Sequence, residues 1–343
     1  MKLSVHPYFL TFHRPFVLAH GTRKGTQLAI LKLEHEGITA YGEASLPPYY
    51  PETLASVTEW VMKQQDSVAD LLKVNPFLHQ DLIPYDSAHP AASAALQSLV
   101  LNWYAKANNL RLEELFDLAP AHPGLTLTFT KTDYDYLIEK LKTAQDFTHM
   151  KLKLTGDSDD LEFVQAIRKR TELPFCIDFN QGYPRKEKAI LMIQDLMKMG
   201  CELMEQPLNA QDHEGHHWLK QRLEIPIIAD ESIRTYEDLL EYHEAYSGVN
   251  VKLMKCGGLF QGKRMLEFKS TDTSRPFLNV LGCMSESSLG VGTASVLAPL
   301  TSLADLDAPY LNSNDPFEGF QIHSGKIERE KEITLKKCVL LDS

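Results

Sequence analysis

At 343 residues, with 43% apolar side chains and a formal net charge of −11, the chain is long enough for one large domain and a smaller companion. No basic stripe offsets the acidic balance, which excludes nucleic acid or an anionic membrane as the main partner; a small anionic substrate needs only a few local cations. The opening MKLSVHPYFLTFHRPF has no unbroken apolar stretch of signal-peptide type, and polar residues interrupt every later run short of a membrane span.

In chain order, residues 2–12 and 26–45 read as strands, the second a hairpin turning at Glu34-His35-Glu36-Gly37. Helical patterns follow at 52–63, 67–73 and 91–107, the last with Leu96, Leu99, Val100, Trp103 and Tyr104 at helical spacing. Strands first and helices after them describe an α+β unit, assigned to residues 1–118. From residue 125 short apolar runs alternate with amphipathic stretches such as 159–170 and 187–199. The runs are LTLTF (125–129), HMKLKL (149–154), PFCIDF (174–179), CELMEQ (201–206), IPIIAD (225–230), VNVKLM (249–254), PFLNVLG (276–282) and SLADLD (302–307). Eight such units predict a parallel sheet closed into a (β/α) barrel over residues 119–320. The alternating stretch 325–341 reads as an added strand, so residues 321–343 are expected to pack back on the first unit. The five cysteines, Cys176, Cys201, Cys256, Cys283 and Cys338, are odd in number and lack metal-finger spacing; they read as reduced thiols of a cytoplasmic protein.

Charged residues fall in register with these strands. Lys151 and Lys153 sit in the second, Asp178 ends the third, Glu205 the fourth, Asp230 the fifth, and Lys252 lies in the sixth. From Lys153 the spacings are 25, 27, 25 and 22 residues, about one strand–helix unit each. In a barrel the carboxyl ends of successive strands converge on one mouth, so these groups share a pocket. Three carboxylates without thiol or imidazole form an all-oxygen cluster, the preference of a hard divalent ion, Mg²⁺ foremost. Strand alternation puts Lys151 and Lys153 on one face, and Asn250 and Lys252 on one face of a strand four units round the ring. Lysines on opposite sides of a metal suit removal and return of a proton beside a carboxylate, because the cation neutralises the second charge that builds there. Lys151, crowding Lys153, is the natural means of lowering its pKa toward that of a base. A solvated strand end or structural ion pair accounts for any one of these charges alone, but not for six in register.

The motifs MKLKL, CIDFN, LMEQPL, IADES and VNVKLMKCGGL, together with FVLAHGTR and AYGEAS upstream, resemble the enolase superfamily in its muconate-lactonizing subgroup over nearly the whole chain. The resemblance implies Asp178, Glu205 and Asp230 as ligands of one Mg²⁺ per subunit. It implies Lys153 and Lys252 as the two acid/base groups and Lys151 as partner of the substrate carboxylate. Lys255 competes with Lys252 in the same motif; alternation from Asn250 and the family's placement both favour Lys252.

Within the subgroup the chain resembles dipeptide epimerases, particularly those acting on L-Ala-D/L-Glu. Asp305-Leu306-Asp307 matches the DxD motif that holds the dipeptide's α-ammonium, the plain alternative being a helix N-cap or turn. Arg23, expected in a capping-domain loop, matches the arginine that pairs with the glutamate side chain. Cys283 and Met284 resemble the segment whose backbone lines the substrate site. The loops 21–25 and 46–53 are expected to set the side chain accepted. The implied partner is a small-molecule dipeptide, and a homo-oligomer is compatible with the sequence. A lyase such as o-succinylbenzoate synthase, a cycloisomerase, or an epimerase of non-acidic dipeptides could use the same lysines and metal, as could a barrel retained only for binding.

His213, Glu214, His216 and His217 do not form the HExxH zinc pattern and are expected on an exposed loop or helix. Gly290-Val291-Gly292 is too short to imply a nucleotide site. Glu43 is a candidate brace between the two domains.

Overall fold

In the computed structural model, which describes residues 1–18, 21–119, 121–131, 134–270, 275–337 and 339, the alternating N-terminal segments form a three-stranded antiparallel sheet. Its strands are β1 (Lys2–Leu18), β2 (Gly21–His35) and β3 (Ile38–Leu46), with β2 in the centre. Glu36 and Gly37 turn the β2–β3 hairpin, both with positive φ (51° and 77°), as a tight two-residue turn of matching twist requires. The segment 21–25, expected as a loop, is strand: Arg23 pairs with Phe16 after a register shift that bends β1 between Thr11 and Phe16. Ala19, His20 and Cys338 lie outside the described residues.

Helices α1 (Leu54–Lys63), α2 (Gln65–Leu71), α3 (Pro90–Ala107) and α4 (Leu112–Phe116) follow. Thr53 and Ser56 form a capping box at the start of α1. The alanine-rich α3 is buried on nearly every side. Its first turn carries Pro90, which needs no N–H partner, while the Ala91 and Ala92 amides donate to the Glu52 carboxylate at 2.8 and 2.9 Å.

All eight apolar runs become barrel strands: β4 (Gly124–Phe129), β5 (His149–Lys153), β6 (Phe175–Asp178), β7 (Cys201–Glu205), β8 (Ile227–Ala229), β9 (Gly248–Lys252), β10 (Leu278–Gly282) and β11 (Leu303–Asp305). They close in the order β10-β11-β4-β5-β6-β7-β8-β9, every pair parallel. Between them run α5 (Tyr134–Thr143), α6 (Asp160–Arg168), α7 (Lys186–Lys198), α8 (His213–Lys220), α9 (Tyr236–Tyr242), α10 (Leu253–Cys256), α11 (Leu259–Leu266), α12 (Ser288–Ala294) and, after β11, α13 (Ala308–Leu311).

The C-terminal stretch pairs with its own neighbour rather than with the N-terminal sheet: β12 (Phe317–His323) and β13 (Lys326–Leu335) form a hairpin. Its β13 side docks on the ends of α3 and α4, through Lys331 to Asn109 (2.9 Å), Lys106 to Glu332 (3.0 Å) and Arg329 to Glu113 (2.9 Å). Glu43, on β3, does join the sheet to the barrel: its buried carboxylate accepts from the backbone amide of Ser287 at 2.9 Å and from the Ser287 hydroxyl. Among the described residues no helix is long and apolar enough to cross a membrane.

Candidate active site

A cavity of about 410 Å³ opens where the carboxyl ends of the barrel strands meet the N-terminal sheet and the loop after β3. Lys153, Asp230, Lys252, Asp305 and Asp307 line it from the barrel. Arg23, Tyr49 and Tyr50 line it from the first unit.

Asp178, Glu205 and Asp230 come from adjacent strand ends, and each offers an oxygen within 4.8 Å of the others. All three are buried. Burial acts to raise the carboxyl of Asp178, but the Lys153 and Lys151 ammoniums win and hold it well below the usual range. Asp230 is held low in the same way by Lys252 and Lys255. Glu205 goes the other way: burial, then the like charge of Asp178, push it to about 8. A buried carboxyl disfavoured in its charged form by acidic neighbours is balanced by an added cation. The buried Asn250 Oδ1, beside a side-chain amide that donates to Glu205 at 3.0 Å, has no partner among the described residues. The donor set therefore fits a hard divalent ion.

Four lysines surround the triad at two depths. Lys153 donates to Asp178 at 2.6 Å and to Asn180 at 3.1 Å, and Lys252 donates to Asp230 at 2.7 Å. Both reach the cavity, and their strands, β5 and β9, stand four apart in the ring of eight. Burial opposes the charge of Lys252, but Asp230 outweighs it and holds the ammonium well above the usual lysine range. Lys151 and Lys255 lie beneath. Lys151 pairs with Asp305 (2.7 Å), Glu205 (2.8 Å) and Asp178 (3.1 Å), and these carboxylates outweigh burial to hold it charged. It is 1% exposed and is not among the side chains that line the cavity. Lys255 donates to Asp230 Oδ1 (2.5 Å) and to the carbonyls of Asp230 and Asn250 (2.6 and 2.9 Å), and is 2% exposed.

Asp305 accepts from Lys151 and from Thr126 Oγ1 (2.7 Å). Asp307 stands at the N-cap position of α13, yet its side chain caps nothing there; it accepts from the Thr128 amide on the adjacent strand β4 at 2.5 Å. Burial and the charge of Asp305 push Asp307 to about 6. Cys283 and Met284 line the cavity, but their amides are engaged internally, by the Asp305 carbonyl at 3.1 Å and by Glu286 at 2.7 Å. Arg23 donates to Gly25 O (3.2 Å) and Tyr49 Oη (3.4 Å), and its Nε is buried without a partner.

The histidine cluster forms helix α8, with Glu214 and His217 exposed as expected; His213 is half-buried and His216, against expectation, is fully buried. Burial lowers the His216 pKa to about 4; its Nδ1 bonds the Asp212 carbonyl (2.7 Å), and its Nε2 faces Leu208 N and Gln206 Nε2 (both 3.3 Å). Gln206 in turn accepts from the Asp230 and Ser232 amides at 2.9 and 3.1 Å, so this shell orients two triad strands. Positive φ at Asn180, Gln181 and Gln206, just past Asp178 and Glu205, adds backbone strain at the same place. Gln206 was visible in the LMEQPL motif, and the alternation of Thr126 and Thr128 in LTLTF signalled two inward hydroxyls. Arg234 and the buried Lys140 behind Thr128 carried no sequence signal, and Tyr50 was covered only by the expectation for the loop 46–53.

Residues 135–326 match the family described as enolase C-terminal domain-like. The chain is 33% identical over 334 residues to an L-Ala-D/L-Glu epimerase of Bacteroides thetaiotaomicron, covering 95% of this chain and 85% of that protein. Two solved structures are each 26% identical. One is an enolase-family member from Agrobacterium tumefaciens with homology to dipeptide epimerases, with bound sodium and L-Ala-L-Glu (TM-score 0.80; 96% of this chain, 97% of that one). The other is a dipeptide epimerase from Enterococcus faecalis complexed with Mg and L-Leu-L-Tyr (TM-score 0.81; 97% and 99%). The closed parallel barrel, its charged strand ends and these similarities show that the chain belongs to the enolase C-terminal domain-like family, as an isomerase of the epimerase kind.

Proposed function

We propose that the protein epimerises a dipeptide at the Cα of its C-terminal residue, most simply L-Ala-D/L-Glu, by proton transfer between two lysines. The observation that carries this reading is the placement of Lys153 and Lys252 at the cavity wall from strands four apart, with the carboxylate triad between them. In the reaction one lysine, as the neutral amine, takes the α-proton from one face. The other, as the ammonium, returns a proton to the opposite face, and the reverse direction exchanges their roles. Asp178, Glu205 and Asp230 would hold a Mg²⁺ ion, whose chemistry when bound is to neutralise the second negative charge gathering on the substrate carboxylate. Lys151 keeps Asp305 charged and holds Asp305 and Glu205 in position. Asp305 and Asp307 receive the α-ammonium, a group that succinylbenzoate and muconate lack, which favours a dipeptide over a lyase or cycloisomerase substrate. Arg23 receives an acidic side chain, as its free Nε and its position at the cavity support.

The test is incubation with L-Ala-L-Glu, Mg²⁺ and D₂O, following deuterium at the glutamate α-carbon by NMR. Incorporation with appearance of the L,D isomer supports the reading. No exchange with this or any other dipeptide overturns it.

A further inference from the structure

Two arginines from different domains reach the cavity through adjacent tyrosines. The Arg23 guanidinium lies 5.5 Å from the Tyr49 ring centroid, and the Arg234 guanidinium lies 5.1 Å from that of Tyr50. The two rings are 5.3 Å apart, and all four side chains line the cavity. Arg23 is partly satisfied by Gly25 and Tyr49. Arg234 is not: among the described residues its guanidinium makes no hydrogen bond or ion pair, and its Nε is buried without an acceptor. Glu52, whose carboxyl feels the charge of Arg234, already accepts the first two free amides of α3.

An arginine presents five donors in a rigid fork and keeps its charge at every working pH. Stacking on Tyr50 fixes the plane of that fork at little further loss of freedom. Buried donors are as a rule hydrogen-bonded, so a charged one left without an internal acceptor, at the wall of a ligand cavity, is matched by an acceptor on the ligand. The rest of the wall argues the same way. Asp230, Glu231, Asp305 and Asp307 repel an anion, so among the described residues an acidic side chain has its cations at the Arg23–Tyr49–Tyr50–Arg234 roof and the two lysines.

We propose that Arg234 is a second specificity-determining residue, which hydrogen-bonds the side-chain carboxylate of the dipeptide's C-terminal residue alongside Arg23. The pocket then selects acidic dipeptides with two guanidiniums. This rests on the epimerase reading above and extends it to a residue outside the proton-transfer machinery.

The experiment compares kcat/KM for L-Ala-L-Glu and L-Ala-L-Gln in the Mg²⁺-loaded wild type and in Arg234→Met, Arg234→Lys and Arg23→Met. The wild type is expected to prefer the acidic dipeptide. Arg234→Met should cut that preference by at least about tenfold, mainly through KM, and Arg234→Lys should restore part of it, a lone ammonium lacking the fork. If Arg234→Met does not fold, Arg234→Gln removes the charge with a smaller change in polarity and carries the same comparison. Equal losses on both dipeptides, or an unchanged preference, overturn the role of Arg234 while leaving the epimerase reading intact. A wild type that turns over no dipeptide overturns both.

Discussion

Lys252 donates to one oxygen of Asp230 at 2.7 Å, across adjacent barrel strands, while the other oxygen is held by Lys255 at 2.5 Å. The two lysines of the VKLMK motif are thus separated by depth: Lys252 reaches the cavity and Lys255 is sealed beneath it among backbone carbonyls. Removing one partner of a buried ion pair costs about 3–5 kcal/mol, because the other charge is left uncompensated. Lys255→Met is therefore expected to lower Tm strongly. Lys252→Met should lose about 10²–10⁴-fold in epimerisation with a smaller loss of Tm, since Lys252 holds Asp230 alone whereas Lys255 also holds the Asp230 and Asn250 carbonyls. Thermal denaturation beside activity checks this, and the opposite ranking would reverse the assignment.

Single removal of either cavity lysine should separate the two faces of the reaction. Lys153→Ala and Lys252→Ala are each expected to lose about 10²–10⁴-fold in epimerisation, the usual contribution of a positioned acid or base. Each should still exchange the α-proton of one isomer in D₂O, and the two variants should retain opposite isomers. NMR of L-Ala-L-Glu and L-Ala-D-Glu reads the result. Both variants exchanging the same isomer would rule out the two-face arrangement.

Mg²⁺ should raise Tm of the apoprotein, because an ion that binds only the native state stabilises it by about 2.7 kcal/mol at a hundred times its Kd. The carboxyl of Glu205, pushed to about 8 by burial and Asp178, gains most from the added charge. Glu205→Gln is expected to abolish the Mg²⁺-dependent shift and also to lower the Tm of the apoprotein, because it strips Lys151 of one of its three carboxylates. Differential scanning calorimetry with and without EDTA measures both.

Asp305 and Asp307 should respond differently to loss of charge. Asp307→Asn is expected to raise KM for a free dipeptide about 10- to 100-fold, the value of a charged hydrogen bond of about 1.5–3 kcal/mol. An N-acetylated dipeptide, which has no ammonium, should be far less affected. Asp305→Asn should also lower Tm, because it strips Lys151 of one of its three carboxylates. A KM effect of equal size on the acetylated substrate would remove Asp307 from ammonium binding.

Stability should fall with alkaline pH through the brace between the domains. Burial, then the neighbouring Glu286, raise the Glu43 carboxyl from its ordinary 4.5 to about 8. A carboxyl raised on folding favours the native state in its protonated form; that contribution is complete below about pH 4.5 and is lost as pH rises through about 8. Glu43→Gln, which stays neutral, should thus gain Tm relative to wild type between pH 5 and pH 9. A Tm difference that does not change over that range would show Glu43 to be ionised throughout.

The barrel was legible because each strand announces itself twice, by an apolar run and by the charge at its carboxyl end. Repeated at about one strand–helix unit, that pattern has one geometric solution, in which Lys153, Asp178, Glu205, Asp230 and Lys252 meet. Alternation along a strand likewise favoured Lys252 over Lys255. Where position depends on contacts distant in sequence, the sequence carried no such period. Arg23 was expected in a capping-domain loop on the resemblance, yet pairing with the bent end of β1 makes it strand. His216 sits among polar neighbours in HEGHH, but packing of α8 beneath the β7 and β8 loops buries it behind Gln206. Local sequence therefore determined the barrel and the register of charges at its strand ends, since strand period and charge are properties of short segments. Only the tertiary structure decided their depth, the internal pairing of Lys151 and the tyrosine roof that brings Arg23 and Arg234 to one cavity, because each of these is made by side chains whose elements are far apart along the chain.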